Sequence, residues 1–96
     1  MTNSTFTFGF YVIVPGFNAS RFLNDLARSL SGQTYQGPKT VIFVDDGSND
    51  DTLQIMETIE VGDFRKHVLS IEHGGLSAAR NAALAWVKKN ASDGYV

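Results

Sequence analysis

Cysteine is absent from the 96 residues, and proline occurs only twice. Without cysteine the chain has neither a disulfide scaffold nor thiolate metal sites, which suits a reducing compartment. No charge of one sign dominates. The formal net charge is −2, so no global attraction to nucleic acid or to an anionic membrane is expected, and any anion-binding site is local. Long hydrophobic runs are missing as well. Runs such as Phe10 to Val14 are far short of a membrane span. The N-terminus, MTNSTFTFG, has no positive charge and no extended apolar core, unlike a secretion signal. The three Asn-x-Ser/Thr triplets, at Asn3, Asn18 and Asn90, are accordingly read as chance, and a cytoplasmic location is expected.

What remains is an ordinary composition for one small domain, 43% hydrophobic and 19% charged, close to the lower size limit for a self-sufficient core. Short apolar runs alternate with helical patterns. FYVIV (residues 10–14) is apolar on both faces and predicts a strand covered on both sides. In ASRFLNDLARSL, Phe22, Leu23, Leu26, Ala27 and Leu30 recur at helical spacing, with Gly32 ending the helix and a turn over residues 33–38. TVIFV (40–44) predicts a second strand. Ser48 and Asp51 have the form of a capping box for a second helix bearing Leu53, Met56 and Ile59, closed by Gly62. HVLSI (67–71) predicts a third strand, and a third helix runs from near Ser77 to about Asn90 with a small face of Ala78, Ala79, Ala82 and Ala83. Three strand–helix units imply an α/β fold of Rossmann-like type, with parallel strands and right-handed crossovers.

Ligands in such sheets bind beyond the carboxyl ends of the strands. Three loops end there: Pro15-Gly16-Phe17-Asn18, Asp45-Asp46-Gly47-Ser48, and Glu72-His73-Gly74-Gly75 leading to Arg80 and Asn81. Each also has a structural reading. Pro15 can end a strand, Asn18 can cap a helix, and Gly74-Gly75 can be a plain turn. Asp50 and Asp51 suit a helix N-terminus, where carboxylates favour the dipole. His73 reads as an ordinary loop residue, since no second His or Cys lies at ligand spacing. Asp45 and Asp46 need more. Adjacent carboxylates at a strand end repel unless backbone N–H groups, a cation or a ligand's donors accept them, and strand alternation points them to opposite sides. One of them would then anchor the loop while the other faces the crevice. Dinucleotide and phosphate-loop glycine motifs, helix-loop-helix calcium spacing and a nucleophile elbow are all missing.

VIVPGFN, VIFVDDGSNDDT and HGGLSAARNAAL resemble, in order and spacing, the N-terminal half of family 2 glycosyltransferases of the GT-A fold. The likeness runs over about residues 10–96, which leaves residues 1–9 as an N-terminal extension. It implies a partial GT-A nucleotide-sugar-binding domain, with a parallel sheet of order 3-2-1 and the start of a fourth strand. By the same resemblance Pro15 and Phe17 border the nucleobase and Asn18 lies beside them. Asp46 would accept from the base, a uracil imide for a UDP-sugar donor, with Asp45 as its partner. The segment from Gly75 passes the ribose and diphosphate, where Arg80 offers charge-assisted bonds. Gly16 and Ala83 depart mildly from the family pattern.

A larger departure is that the chain stops at Gly94-Tyr95-Val96, just before the family's Asp-x-Asp. The resemblance thus implies a Mg or Mn cofactor whose ligands, like the catalytic base, lie outside this chain, and a fragment inactive by itself. It also implies that the first strand is left as a bare sheet edge, inviting self-association. A nucleotidyltransferase, a receiver-type regulatory domain and a non-catalytic α/β interaction module are the competing readings.

Overall fold

In the computed structural model, which describes residues 6–8, 11–31, 39–62 and 64–91, the apolar runs form the middle of one sheet. β1 (Phe6–Phe8), β2 (Tyr11–Gly16), β3 (Thr40–Asp46) and β4 (Arg65–Ile71) lie side by side in that order. β2, β3 and β4 are parallel, which is the expected 3-2-1 arrangement of the three strand–helix units. All seven residues of β3 are buried, as a strand with neighbours on both sides and helices on both faces must be. β4 is an edge strand. Arg65 and Ser70 on it are exposed, and its other five residues are half-buried.

Alternation along β3 divides the core in two. Val41 and Phe43 pack with Leu23 and Leu30 of α1 (Ser20–Ser31), Met56 of α2 (Thr52–Thr58) and Val61. Ile42 and Val44 face the other way, onto Ala79, Ala83 and Val87 of α3 (Gly75–Ala91). The alanines let α3 lie close on the sheet. With α1 and α2 on one face and α3 on the other, the domain is an α/β Rossmann-like half-domain wound on both sides.

The bounds differ from the sequence expectation where tertiary contacts set them. β4 starts at Arg65 rather than His67, because it pairs along the whole of β3 from Thr40 onwards. α2 stops at Thr58, with Ile59 already extended, rather than running on to Gly62. Lys66 closes it from β4, donating from Nζ to the carbonyls of Glu57 (2.9 Å) and Ile59 (2.9 Å). The turn over 33–38, the Gly32 stop and the fourth-strand start at Gly94 to Val96 lie outside the described residues.

One expectation loses its premise. The edge of β2 is not bare, because β1 pairs with it antiparallel, Phe6 opposite Ile13 and Phe8 opposite Tyr11. Three residues of the segment read as an extension therefore belong to the sheet. Thr-Phe alternation ahead of Gly9 is the hairpin signal that was available in the sequence.

Candidate functional site

Parallel pairing sets Gly16 of β2 level with Asp45 of β3, and Asp46 level with Ile71 of β4, so three strand ends open onto one rim. Side chains and backbone then join the loops. In the first, a Cβ on Gly16 would sit 3.0 Å from the Met56 Cε and 3.3 Å from the Ala19 Cβ. Gly16 is thus a point of close packing against α2. Asn18 holds a left-handed φ of 49°, which Asn tolerates. Its backbone N–H donates to Ser48 Oγ (2.9 Å), and its Oδ1 accepts from the Asn49 N–H (2.8 Å). Ala19 N–H donates to the buried Thr52 Oγ1 (2.9 Å). Asn18 therefore ties the first loop to the second.

The capping box does not form. Ser48 is engaged with Asn18, and Asp51, at the N-cap position of α2, makes no side-chain cap bond. Asp50 does that work, accepting from the Thr52 N–H (3.0 Å) and from the Thr52 hydroxyl.

Asp45 and Asp46 part company as alternation requires. Asp46 is 0% exposed, and its carboxylate sits at the N-terminus of α3. Oδ1 accepts from the Gly74 N–H (2.9 Å) and Oδ2 from the Gly75 N–H (3.0 Å). His73 Nδ1 lies 3.1 Å from Oδ2 and 3.1 Å from the Asp46 carbonyl oxygen. These donors explain how the pair coexists: one acid is neutralised by N–H groups and a helix dipole. They also explain why α3 begins at Gly75, two residues ahead of Ser77, since its cap comes from another strand. Asp46 is the anchor of the two. Asp45 is 4% exposed and takes up one Oδ1 contact, from the Ser48 N–H at 3.3 Å.

Gly47 brings the second loop against the third. Its φ is +71°, and a Cβ there would meet the His73 backbone nitrogen at 2.8 Å, so only glycine fits. Across that contact the Phe17 and His73 rings lie 4.5 Å apart between centroids, tilted by 39°. His73, read from sequence as an ordinary loop residue, thus touches both other loops. Its place two residues past a strand end and directly before Gly74-Gly75 was the available signal. Pro15 is buried in β2, while Arg80 and Asn81 are exposed on the early turns of α3. Gly75 holds a φ of +87° with open space beside it.

The Glycosyl transferase family 2 model matches residues 11–95. The chain belongs to glycosyltransferase family 2. Glycosyltransferase GlyA of Streptococcus pneumoniae is 38% identical over 88% of this chain and 12% of its own length. The poly(ribitol-phosphate) beta-N-acetylglucosaminyltransferase TarS of Staphylococcus aureus is 39% identical over 78% of this chain and 13% of its own. The putative teichuronic acid biosynthesis glycosyltransferase TuaG of Bacillus subtilis is 38% identical over 76% and 29%. The chain thus spans less than a third of these relatives. No solved structure gave a significant match.

Family 2 membership sets aside the receiver and nucleotidyltransferase readings. Among the described residues of this family 2 domain, no three His, Asp or Glu side chains gather to hold a metal ion. The acidic pair does not fit one either, because both Asp46 oxygens are taken by donors and Asp45 leaves the strand on the opposite face. No described helix is long and apolar enough to cross a membrane.

Proposed function

We propose that this chain is the donor-binding portion of an inverting glycosyltransferase, and that its rim receives the nucleoside diphosphate of a UDP-sugar. Family membership supports the class, and the joining of three loops at one rim supports the place. The single observation behind the residue roles is the unequal saturation of the acids. Asp46 is fully buried with both oxygens engaged, so Asp45 is the carboxylate with acceptor capacity left for a base imide. The roles of reader and partner suggested by resemblance are therefore exchanged. Pro15, Phe17 and Asn18 border the base, Gly75 allows close approach, and Arg80 serves the diphosphate by charge-assisted bonds.

Inverting transfer needs a base to deprotonate the acceptor hydroxyl. That base and the divalent metal of the family lie, in this reading, outside these 96 residues, and the isolated chain transfers no sugar. The names of TarS and TuaG favour a polymeric glycan acceptor over a lipid or protein one. The location in this reading is cytoplasmic, at a membrane face where the acceptor requires it.

Calorimetric titration with UDP and GDP, with and without manganese, tests the reading. UDP is expected to bind more tightly than GDP, with little effect of manganese. Asp45→Asn should weaken UDP about tenfold, the loss of one charge-assisted bond, while leaving the urea midpoint in place. Asp46→Asn should instead lower stability by about 2 kcal/mol. The reverse pattern would return the reader's role to Asp46.

A further inference from the structure

Charge is unevenly placed along the strands. The rim end carries Asp45, Asp46, Asp50, Asp51 and Glu72. The opposite end, where strands begin and helices finish, carries Arg28, Lys39, Arg65, Lys66, Lys88 and Lys89, most of the eight Lys and Arg residues. The described acids at that end, Glu57 and Glu60, belong to α2 and the turn after it, on the face shared with α1. On the α3 face, no described residue at that end is acidic.

Strand alternation gathers a group there. Arg65 and His67 point to the α3 side of β4, in phase with Leu69 and Ile71, which pack against the α3 core. Lys66 points to the other side, where it holds the end of α2. Trp86 of α3 stacks on His67, with centroids 4.3 Å apart, and meets Tyr11 edge-on at 6.5 Å. Lys88 and Lys89 follow Trp86 in the last turn of α3. Arg65, Lys88 and Lys89 are exposed, and Trp86 is half-buried. A tryptophan is thus set among three cations. The helix dipole accounts for lysines in a last turn, but Arg65 opens a strand and gains nothing from it.

We propose that this corner of the domain docks on the anionic surface of a lipid bilayer, with Arg65, Lys88 and Lys89 among the headgroups and Trp86 at their level. Cations beside an indole suit that boundary, where an apolar ring body and a polar N–H both find partners. A soluble acidic polymer could be held by the cations alone and has no need of the indole. The net charge of −2 does not oppose docking. The rim acids lie at the far end of a seven-residue strand, roughly 20 Å away, well beyond the Debye length of about 8 Å at physiological salt. Docking here leaves the rim facing water, so it neither needs the donor-binding reading nor bears on it.

Sedimentation with vesicles tests the surface, using the full 96-residue chain. Vesicles of equal parts phosphatidylcholine and phosphatidylserine should carry it down, phosphatidylcholine alone should not, and salt at about 0.5 M should release it. Each Lys or Arg near such a surface is worth roughly fivefold in partitioning, so Lys88→Gln with Lys89→Gln should weaken it about 25-fold. Lys88→Arg with Lys89→Arg, which keeps both charges, should stay within about twofold of wild type, as should Arg28→Gln on α1 across the sheet. Trp86 is the only tryptophan, so its fluorescence reports from the patch itself, and bound vesicles should shield it from acrylamide. Thermal melts report on the folding of each variant, and the lipid and salt comparisons need no variant. Failure to sediment with the anionic vesicles, equal binding to neutral ones, a loss in Arg28→Gln as large as in the double lysine variant, or an unshielded Trp86 would each overturn the proposal. Shielding by soluble polyphosphate but not by vesicles would assign the patch to an acidic polymer and overturn it as well.

Discussion

Thr40 opens β3 with a hydroxyl that is fully buried and finds no hydrogen-bond partner among the described residues. An unpaired buried hydroxyl costs about 1–3 kcal/mol of desolvation. Thr40→Val, close in shape and equally suited to a strand, should therefore raise stability by about 1 kcal/mol in urea unfolding. His67 gives a second test at this scale. It stacks on Trp86, with centroids 4.3 Å apart and planes 24° off parallel. Burial lowers its pKa below the ordinary value of 6.5. The unfolded chain then binds the proton more readily, so this contribution to stability is fully present above pH 6.5 and is lost as pH falls through the lowered folded value. His67→Phe, which keeps a stacked ring without the proton, should flatten that part of the profile below pH 6.5. An unchanged slope in the variant would assign the titration elsewhere. The candidate site shows the same limit of reading at single residues. That Asp45 and Asp46 diverge was legible from strand alternation. Which of them was spoken for was not, because the donors come from Gly74 and Gly75, 28 and 29 residues further along.

Secondary structure was legible wherever a hydrophobic period carried it, and misread wherever a contact between elements decided it. β3 and the small face of α3 follow from their residue patterns alone. The capping box at Ser48 and Asp51 fails because Ser48 is more useful to Asn18 than to α2. No local rule contains that competition. α2 makes the point most clearly, since seven residues are too few for an independent helix in water. It is held by Asp50 at its start, by Met56 in the core, and by Lys66 at its end. A cation at helix carbonyls is favoured by the dipole as well as by its hydrogen bonds. Lys66→Met preserves the aliphatic stem and removes both bonds, and should cost about 1–2 kcal/mol. Hydrogen exchange localises the effect: amides of α2 should exchange faster, with those of β3 changing only through the lowered global stability.

For the whole molecule, the faces chosen by the helices decide what the β2 edge is for. α1 and α2, leading outward from β2 to β4, lie on one face of the sheet, and α3, after β4, lies on the other. Under the right-handed crossover rule a change of face is a change of direction, so the berth reserved for a further parallel strand is beside β2. β1 occupies that berth, running antiparallel and, among the described residues, pairing along Tyr11 to Ile13. β4, at the other edge, is guarded by the exposed Arg65. Beyond Ile13, Pro15 removes one donor from the β2 edge, which leaves its lower half, under β1, as the sticky part. The full chain should then sediment as a monomer at about tens of micromolar, an order of magnitude at which covered edges stay apart. Removing residues 1–8 uncovers the pairing edge of a strand whose Ile13 and Val14 are fully buried in the core, and the shortened chain should associate through it. Sedimentation of the two chains side by side distinguishes the outcomes. Association of the full chain would mean that three paired residues do not close the edge. Monomers in both would mean that the β2 edge needs no cover.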